Sequence, residues 1–386
     1  MYMGELNKWF TRDNYGGRKS MQAVEVSMNA QLTYDSIWAR RGRAVIMSND
    51  AKGCYDRIAH VVVDLALQRL GIPKPALQSM LEAIQEMEHH IRTAFGDSEE
   101  HYGNDREAPP QGVLQGNGAG PAGWFAISTL MIQILRDQGY GYKEWTLIRQ
   151  RAVTITCFAF VDNTDLIHAT TDPAKSTETL ISEAQQALNL WEGLLQATGG
   201  ALAPEKSYWY LIEVVHRNGQ WEYAAPNNDH HLTLPGGATV EHLSVNTSKE
   251  ALGIQIRPDG GMDDEVEYLK NKVLTWCTML RTQKIYGYEA WYCLISTIMK
   301  SIEYPLAATT FSREQIDNIM CPLFKTALNM CNIQRHLPRK LLYGPIQYRG
   351  CGLKDHYRDT ASNNLLQENM DLNLTSGTFH LIFTAT

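Results

Sequence analysis

Asp50 and Asp162 are the side chains of this sequence whose setting points to chemistry. Asp50 follows the short apolar run AVIMSN (44–49), and Asp162 stands beside Asn163 at the centre of FAFVDNTDLIH (158–168), between two mostly apolar runs. If the strands that carry them are neighbours in one sheet, the carboxylates converge where two divalent ions roughly 3.5 to 4 Å apart could be clamped. Hard oxygen ligands suit Mg²⁺, which keeps some waters and completes its shell with substrate phosphates. That is equipment for phosphoryl transfer. Strand-end acids also cap helices or face water, so the pair needs support from the segments around it.

The elements that must position these residues follow from periodicity and punctuation. Residues 44–49 read as a short buried strand ending at Asp50. Asp56 is placed to cap a helix with apolar residues at 58, 61, 62, 65, 66 and 70, stopping at Gly71 ahead of Pro73. A longer amphipathic helix is expected over 75–95, a loop over 96–117, and a mostly buried helix over 120–139. The β-branched runs 152–160 and 164–169 predict a hairpin with Asp162 and Asn163 at its turn. A helix opening at Asp172-Pro173 should run to Gly199-Gly200, and strands at 207–215 and 220–225 should be joined at Asn218-Gly219. After Gly260-Gly261 the pattern is helical over 263–285, 289–303 and 312–331. The fold class is α+β, a small mainly antiparallel sheet with an all-helical end.

Composition bounds the partners. A hydrophobic fraction of 44% and a charged fraction of 20% are those of a globular protein, and no apolar run approaches the roughly 20 residues of a membrane span. The start of the chain has no basic segment followed by an apolar stretch, so it does not read as a secretory signal. Seven scattered cysteines without a C-x-x-C pair argue against a disulfide framework and a structural zinc site, and point to a reducing compartment. The expected location is intracellular, nucleus or cytoplasm, with no targeting run. The net charge of -7 hides an uneven distribution: residues 281–358 hold eleven Lys and Arg against five Asp and Glu, and a basic third of this kind could grip phosphates.

Order and spacing then supply a resemblance. NDAKGCYDRI (49–58) resembles the first carboxylate motif of reverse transcriptases, PPQGVLQGNGAGP (109–121) their Pro-Gln-Gly loop entering a buried helix, and FVDN (160–163) their (Phe/Tyr)-x-Asp-Asp hairpin. LLQATGGALAPEKS (194–207) is similar to the helix-turn-Lys segment that follows, and ALGIQI (251–256) to the Leu-Gly hairpin beyond it. The helical tail ending in RGCGL resembles the thumb of non-LTR retrotransposon and group II intron enzymes. The resemblance implies a right-hand polymerase fold with a mainly antiparallel palm sheet, partial fingers and a helical thumb. Its parts would be partial fingers over 1–43, palm with some fingers elements over 44–260, a helical thumb over 261–358 and a tail over 359–386.

The activity so implied is that of an RNA-directed DNA polymerase, extending a primer on an RNA or DNA template with dNTPs. Its cofactor would be two Mg²⁺ ions, with Mn²⁺ as substitute, held by Asp50 and Asp162. No membrane is implied, and the number of subunits stays open. Tyr55 falls where the family places an aromatic ring beneath the incoming sugar, which would clash with a ribose 2′-hydroxyl. Gln115 and Gly116 would let backbone approach the nascent base pair. Lys206 falls near the triphosphate as a proton donor to pyrophosphate. YGGRKSMQA (15–23) resembles a fingers segment, suggesting Arg18 or Lys19 as a phosphate contact. The departure is Asn163, where reverse transcriptases carry a second Asp. An amide keeps the shape but removes a negative charge beside the metals. The alternative is therefore a catalytically degenerate relative that binds nucleic acid without polymerising.

Overall fold

The computed structural model describes residues 10–18, 21–103, 111–113, 116–145, 152–227 and 229–357. The described residues divide into two compact units: the first comprises those within 10–22, 37–145 and 152–244, the second those within 23–36 and 245–357. Helix α1 (Ala23–Ala39) contributes its first fourteen residues to the second unit and its last three to the first.

The first unit is built on a seven-stranded sheet. Strand β1 (Arg43–Asp50) leads into the one-turn helix α2 (Cys54–Arg57), then α3 (His60–Arg69) and α4 (Lys74–Gln85). The hairpin β2 (Glu88–Thr93) and β3 (Gly96–Gly103) precedes the long helix α5 (Gly120–Asp137). A small pair, β4 (Tyr142–Trp145) and β5 (Ala152–Ile155), is followed by β6 (Cys157–Phe160) and β7 (Asn163–Thr170), then helix α6 (Thr177–Ala197). The unit closes with β8 (Tyr208–Arg217), β9 (Gln220–Tyr223), β10 (Leu232–Thr233) and β11 (Thr239–Leu243). The sheet order is β10-β11-β8-β1-β7-β6, with β9 also paired to β8. All pairings are antiparallel except β11 on β8.

Strand β1 lies at the centre and is buried everywhere but its two ends, which is why its sequence is an unbroken apolar run rather than an alternating one. Met47 sits opposite Leu166 on β7 and Trp209 on β8, so these three share a face. That face joins Trp124 and Ile127 of α5 and Leu188 and Trp191 of α6 in one core. Buried His168 ties β7 to α6: the Gly141 N–H donates to its Nδ1 at 3.3 Å, so Nε2 carries the proton and donates to Glu183 at 2.7 Å.

In the second unit the hairpin β12 (Lys249–Ala251) and β13 (Ile254–Ile256) turns through Leu252 and Gly253, both at positive φ. Helices α7 (Asp263–Thr282), α8 (Gly287–Cys293), α9 (Met299–Glu303), α10 (Arg313–Met330) and α11 (Arg339–Leu342) follow. Leu269, Val273 and Cys277 of α7 meet Leu323, Phe324 and Ala327 of α10 in a separate core. Ser312 caps α10 reciprocally with Gln315, as the Ser-x-x-Gln spacing requires.

Three expected boundaries move. Asp56 lies inside α2, and the following helix begins only at His60. The helix expected over 75–95 stops at Gln85, and EHHIRT instead pairs with residues 96–103 through a turn closed by Gly96 at φ 121°. Asp172 makes a local turn, its Oδ1 accepting from the Ala174 N–H at 2.9 Å, and α6 starts five residues later behind Ser176, whose hydroxyl accepts from the Thr179 N–H. No helix among the described residues is long and apolar enough to cross a membrane.

Candidate active site

Asp50 is the last residue of β1 and pairs in register with Asn163, the first of β7; Ser48 pairs with Asp165 two positions inward. Directly opposed residues of an antiparallel pair point to the same side. Asp50, Asn163, Ser48 and Asp165 therefore share the sheet face opposite to the one that packs on α5 and α6. Asp162 occupies the two-residue turn between β6 and β7, next to Asn163.

The turn is built at some cost. Val161, its first residue, has φ 58°, a left-handed conformation that a β-branched side chain rarely adopts and that hairpin turns usually give to glycine. Two neighbours hold it. The Trp124 indole N–H donates to the Val161 carbonyl, and Gly16 lies so close that a Cβ there would sit 2.5 Å from the Val161 amide nitrogen. Residues 10–18 are in turn tied to the edge of β6: the Tyr15 N–H donates to the Ala159 carbonyl at 2.8 Å and the Ala159 N–H to the Asp13 carbonyl at 2.9 Å. The Asp13 carboxylate forms an ion pair with Arg136 and accepts from the Thr156 N–H at 2.9 Å.

The segment after α6 returns alongside Asp50. The Ala203 N–H donates to the Asp50 carbonyl at 3.0 Å and the Lys52 N–H to the Ala201 carbonyl at 2.8 Å. A short 3₁₀ turn, Pro204–Lys206, then places Lys206 Nζ 3.4 Å from Asp50 Oδ2. Asp50, Asp162, Tyr55, Lys206, Cys54 and Glu205 all line one cleft of ≈ 280 Å³. Burial, reinforced by the charge of Asp162, pushes the Cys54 thiol up to about 12, and burial with Cys54 and Asp162 does the same to the Tyr55 phenol. Both stay protonated near neutral pH, which leaves carboxylates and the ammonium groups of Lys52 and Lys206 as the charged groups of the cleft.

Of the residues singled out from sequence, Asp50, Asp162, Tyr55 and Lys206 are thus brought together, with Asn163 in register across from Asp50. Arg18 is half-buried in the segment beside β6 and is not among the residues lining the cleft. Gln115 and Lys19 lie outside the described residues. Gly116 has φ 93° and open space around its Cβ position. The glycine with no alternative is Gly112: at φ 86°, a Cβ would come within 2.4 Å of the Tyr55 and Asp56 backbone. The Val113 N–H donates to the Tyr55 carbonyl at 2.7 Å, so this loop braces α2 from outside. The Pro-Gln-Gly signature contained Gly112, but only the crossing of two backbones shows why it must be glycine.

Sequence reasoning also missed what stands behind Asp50. Asp165 keeps Oδ1 shut from solvent without a hydrogen-bond partner, and burial pushes its carboxyl up to about 6 against the opposing effect of the Ser48 hydroxyl. Tyr208, in register with Ser48 on β8, is raised by burial and by the Asp165 charge.

No family model and no curated protein matches this sequence. Among solved structures the chain is similar to telomerase from Candida albicans in complex with a TWJ fragment of telomeric RNA, with a TM-score of 0.41 and 11% identity over 94% of this chain and 57% of that one. It is similar also to telomerase from Candida tropicalis in complex with such a fragment, with a TM-score of 0.42 and 12% identity over 100% and 55% of the two chains. Against apo telomerase from Candida tropicalis the TM-score is 0.38 and the identity 10%, over 99% and 58%. The chain spans a little over half the length of these structures.

Proposed function

We propose that this protein is a template-directed nucleotidyltransferase of the reverse-transcriptase type, extending a primer with dNTPs. The observation that carries the reading is the convergence of Asp50, Asp162, Tyr55 and Lys206, drawn from three separate stretches of sequence, on one cleft. The ordered motifs noted above add to it independently.

The donor set fits Mg²⁺. Its charged oxygens include those of Asp50 and Asp162, the Cys54 thiol is kept protonated and so offers no soft ligand, and hard oxygen donors select Mg²⁺ or Mn²⁺ over thiophilic ions. Asp50 and Asp162 would hold the ions, which when bound lower the pKa of an attacking hydroxyl and neutralise charge on a triphosphate. Lys206, 3.4 Å from Asp50 and largely exposed, exchanges that loose pair for the triphosphate and gives its proton to the departing pyrophosphate. Tyr55 forms the floor under the sugar, where its ring excludes a 2′-hydroxyl. In the second unit, exposed Tyr286, Tyr288 and Tyr292 fall within the basic stretch 281–358. Aromatic faces among cations are what single strands bind.

Purified protein should extend a primer on an RNA or DNA template in the presence of Mg²⁺, with dNTPs favoured over rNTPs. Asp50→Asn and Asp162→Asn should each lower the rate by more than about 100-fold. Absence of extension on every template, with the fold intact by circular dichroism, refutes the polymerase reading. Asn163 favours a second reading, a nucleic-acid binder without polymerisation, since the residue directly across from Asp50 is an amide. On that reading Asn163→Asp creates extension that the natural protein lacks.

A further inference from the structure

The β2–β3 hairpin carries a second group of ligating side chains, unlike the carboxylate cleft in chemistry. Glu88 and His90 are two residues apart on β2 and so share a face, and His101 on β3 stands in register with His90. One ligand atom from each of the three lies within 4.8 Å of the others, Glu88 Oε1 being 3.7 Å from His101 Nε2. All three residues are exposed.

The hairpin also orients one ring for ligation. His90 Nδ1 is 2.9 Å from the Ser98 carbonyl oxygen, so Nδ1 carries the proton and donates, and Nε2 is left with its lone pair. A ring nitrogen fixed by a backbone carbonyl is the usual support of a metal-bound histidine. A register irregularity between His90 and Arg92 permits this aim, and Ser98 organises it by accepting from the Ile91 N–H at 3.0 Å and donating to the Glu100 carbonyl at 2.6 Å. The nearby cation is neutralised, because Arg92 pairs with Asp97 at 2.7 Å.

We propose that Glu88, His90 and His101 bind a divalent transition-metal ion of the Zn²⁺ class, with three protein ligands and one open position. Imidazole nitrogen prefers such ions to Mg²⁺ or Ca²⁺, so the two sites of this chain sort by ligand type. Around tetrahedral Zn²⁺ with bonds of about 2.0–2.2 Å, neighbouring ligand atoms are about 3.3 Å apart. The present spacing, 3.7 Å between Glu88 Oε1 and His101 Nε2 and at most 4.8 Å for the set, is close to that value. The ion would bridge two strands that, among the described residues, pair with no other strand, an arrangement of marginal stability by itself.

The test uses the full chain stripped of metal, in excess Mg²⁺ so that the carboxylate cleft is filled, titrated with Co²⁺ as a coloured stand-in and then with Zn²⁺ in competition. One equivalent of Co²⁺ should give a low-symmetry visible spectrum that Zn²⁺ abolishes and that is lost on acidification, because protons compete for the ligand nitrogens. His90→Gln, His101→Gln and Glu88→Gln should each weaken Zn²⁺ at least about 10-fold, while Asp50→Asn leaves the titration unchanged, which separates this site from the proposed polymerase centre. Because the three positions are exposed, the variants should keep the wild-type circular dichroism. No stoichiometric uptake, or uptake insensitive to His90→Gln and His101→Gln, overturns the proposal; the latter would mean adventitious binding at other histidines.

Discussion

Replacing Asn163 by Asp tests whether the cleft is a shared cation site without requiring turnover. Position 163 is directly across from Asp50 and next to Asp162, and opposed residues in an antiparallel pair have Cβ atoms about 4.5–5.5 Å apart. Two unit charges about 5 Å apart repel by about 0.8 kcal/mol at the dielectric of water and by about 3 kcal/mol at an effective value of about 20. Asp50 retains 35% of its side-chain exposure, which places the cost in the lower half of that range, about 1–2 kcal/mol. Lys206 relieves little of it, being 64% exposed at 3.4 Å from Asp50. In EDTA the Asn163→Asp protein should melt a few degrees below wild type. Excess Mg²⁺ should recover that loss, and divalent-ion affinity should rise by about 5- to 30-fold, the same free energy read as a binding constant. Melting curves with EDTA and with Mg²⁺, together with Mn²⁺ binding to both proteins, measure the two halves of the effect. Equal Mg²⁺ responses in the two proteins would show that a carboxylate at 163 does not share an ion with Asp50, and the reasoning from register would fail.

Gly112→Ala should destabilise the first unit by about 1–3 kcal/mol, since the new Cβ meets backbone at 2.4 Å and φ is 86°; urea unfolding reads it. Gly16→Ala pushes against the Val161 amide, so primer extension should fall at least about 10-fold with nucleic-acid affinity nearly unchanged, as single-turnover kinetics and a binding titration would show. Asp165 has its carboxyl raised to about 6, against about 3.9 when unfolded. Between those pH values the unfolded chain has lost a proton that the folded chain keeps, so stability falls as pH rises through the window and is level above it. Asp165→Asn should remove that part of the slope and stabilise the protein at neutral pH by about 1–3 kcal/mol, checked by unfolding both proteins at about pH 4 and about pH 7. Tyr55→Ala should raise rNTP use relative to dNTP use without abolishing extension, measured as the ratio of kcat/KM values.

Much of the site was legible in the sequence because it depends on local patterns. AVIMSND is a central strand wherever it is placed, and a polar pair between β-branched runs announces a turn. Asn218-Gly219 sits between β8 and β9 with both residues at positive φ, as its turn chemistry requires. What escaped depends on register or on crossings between distant backbones. Residues 75–95 carry helical periodicity, yet the second half pairs with residues 96–103. Reading it as helix hid the register that puts His101 opposite His90, and the cysteine spacing that argued against zinc says nothing about a site made of imidazoles. Asp165 lies two residues along β7 from Asn163 and so shares its face, but its burial comes from neighbouring strands and cannot be read from alternation. Asp56 stands where an acid before an apolar run often caps, and Asp172-Pro173 where a helix often opens, yet Ser176 caps α6 and α3 has no side-chain cap.

At the turn that carries Asp162, backbone strain coincides with the proposed catalytic site. A valine at φ 58° costs on the order of 1–3 kcal/mol relative to glycine in the same turn. It persists because separate parts of the first unit fix it: the Trp124 indole from α5, Gly16 from the segment along β6, and the β1–β7 register that aligns Asn163 with Asp50. A glycine at 161 would lower the strain but widen the range of backbone angles open to the residue before Asp162. A carboxylate that must share ions with a partner on another strand gains from having that range narrowed before the ions arrive, since none of their binding free energy is then spent on ordering it. The same logic explains the division of labour around the cleft. Asp50 is set by the most deeply buried strand, Asp162 by a braced turn, and Lys206, which must change partners during the proposed reaction, is left on an exposed turn with a long pairing distance.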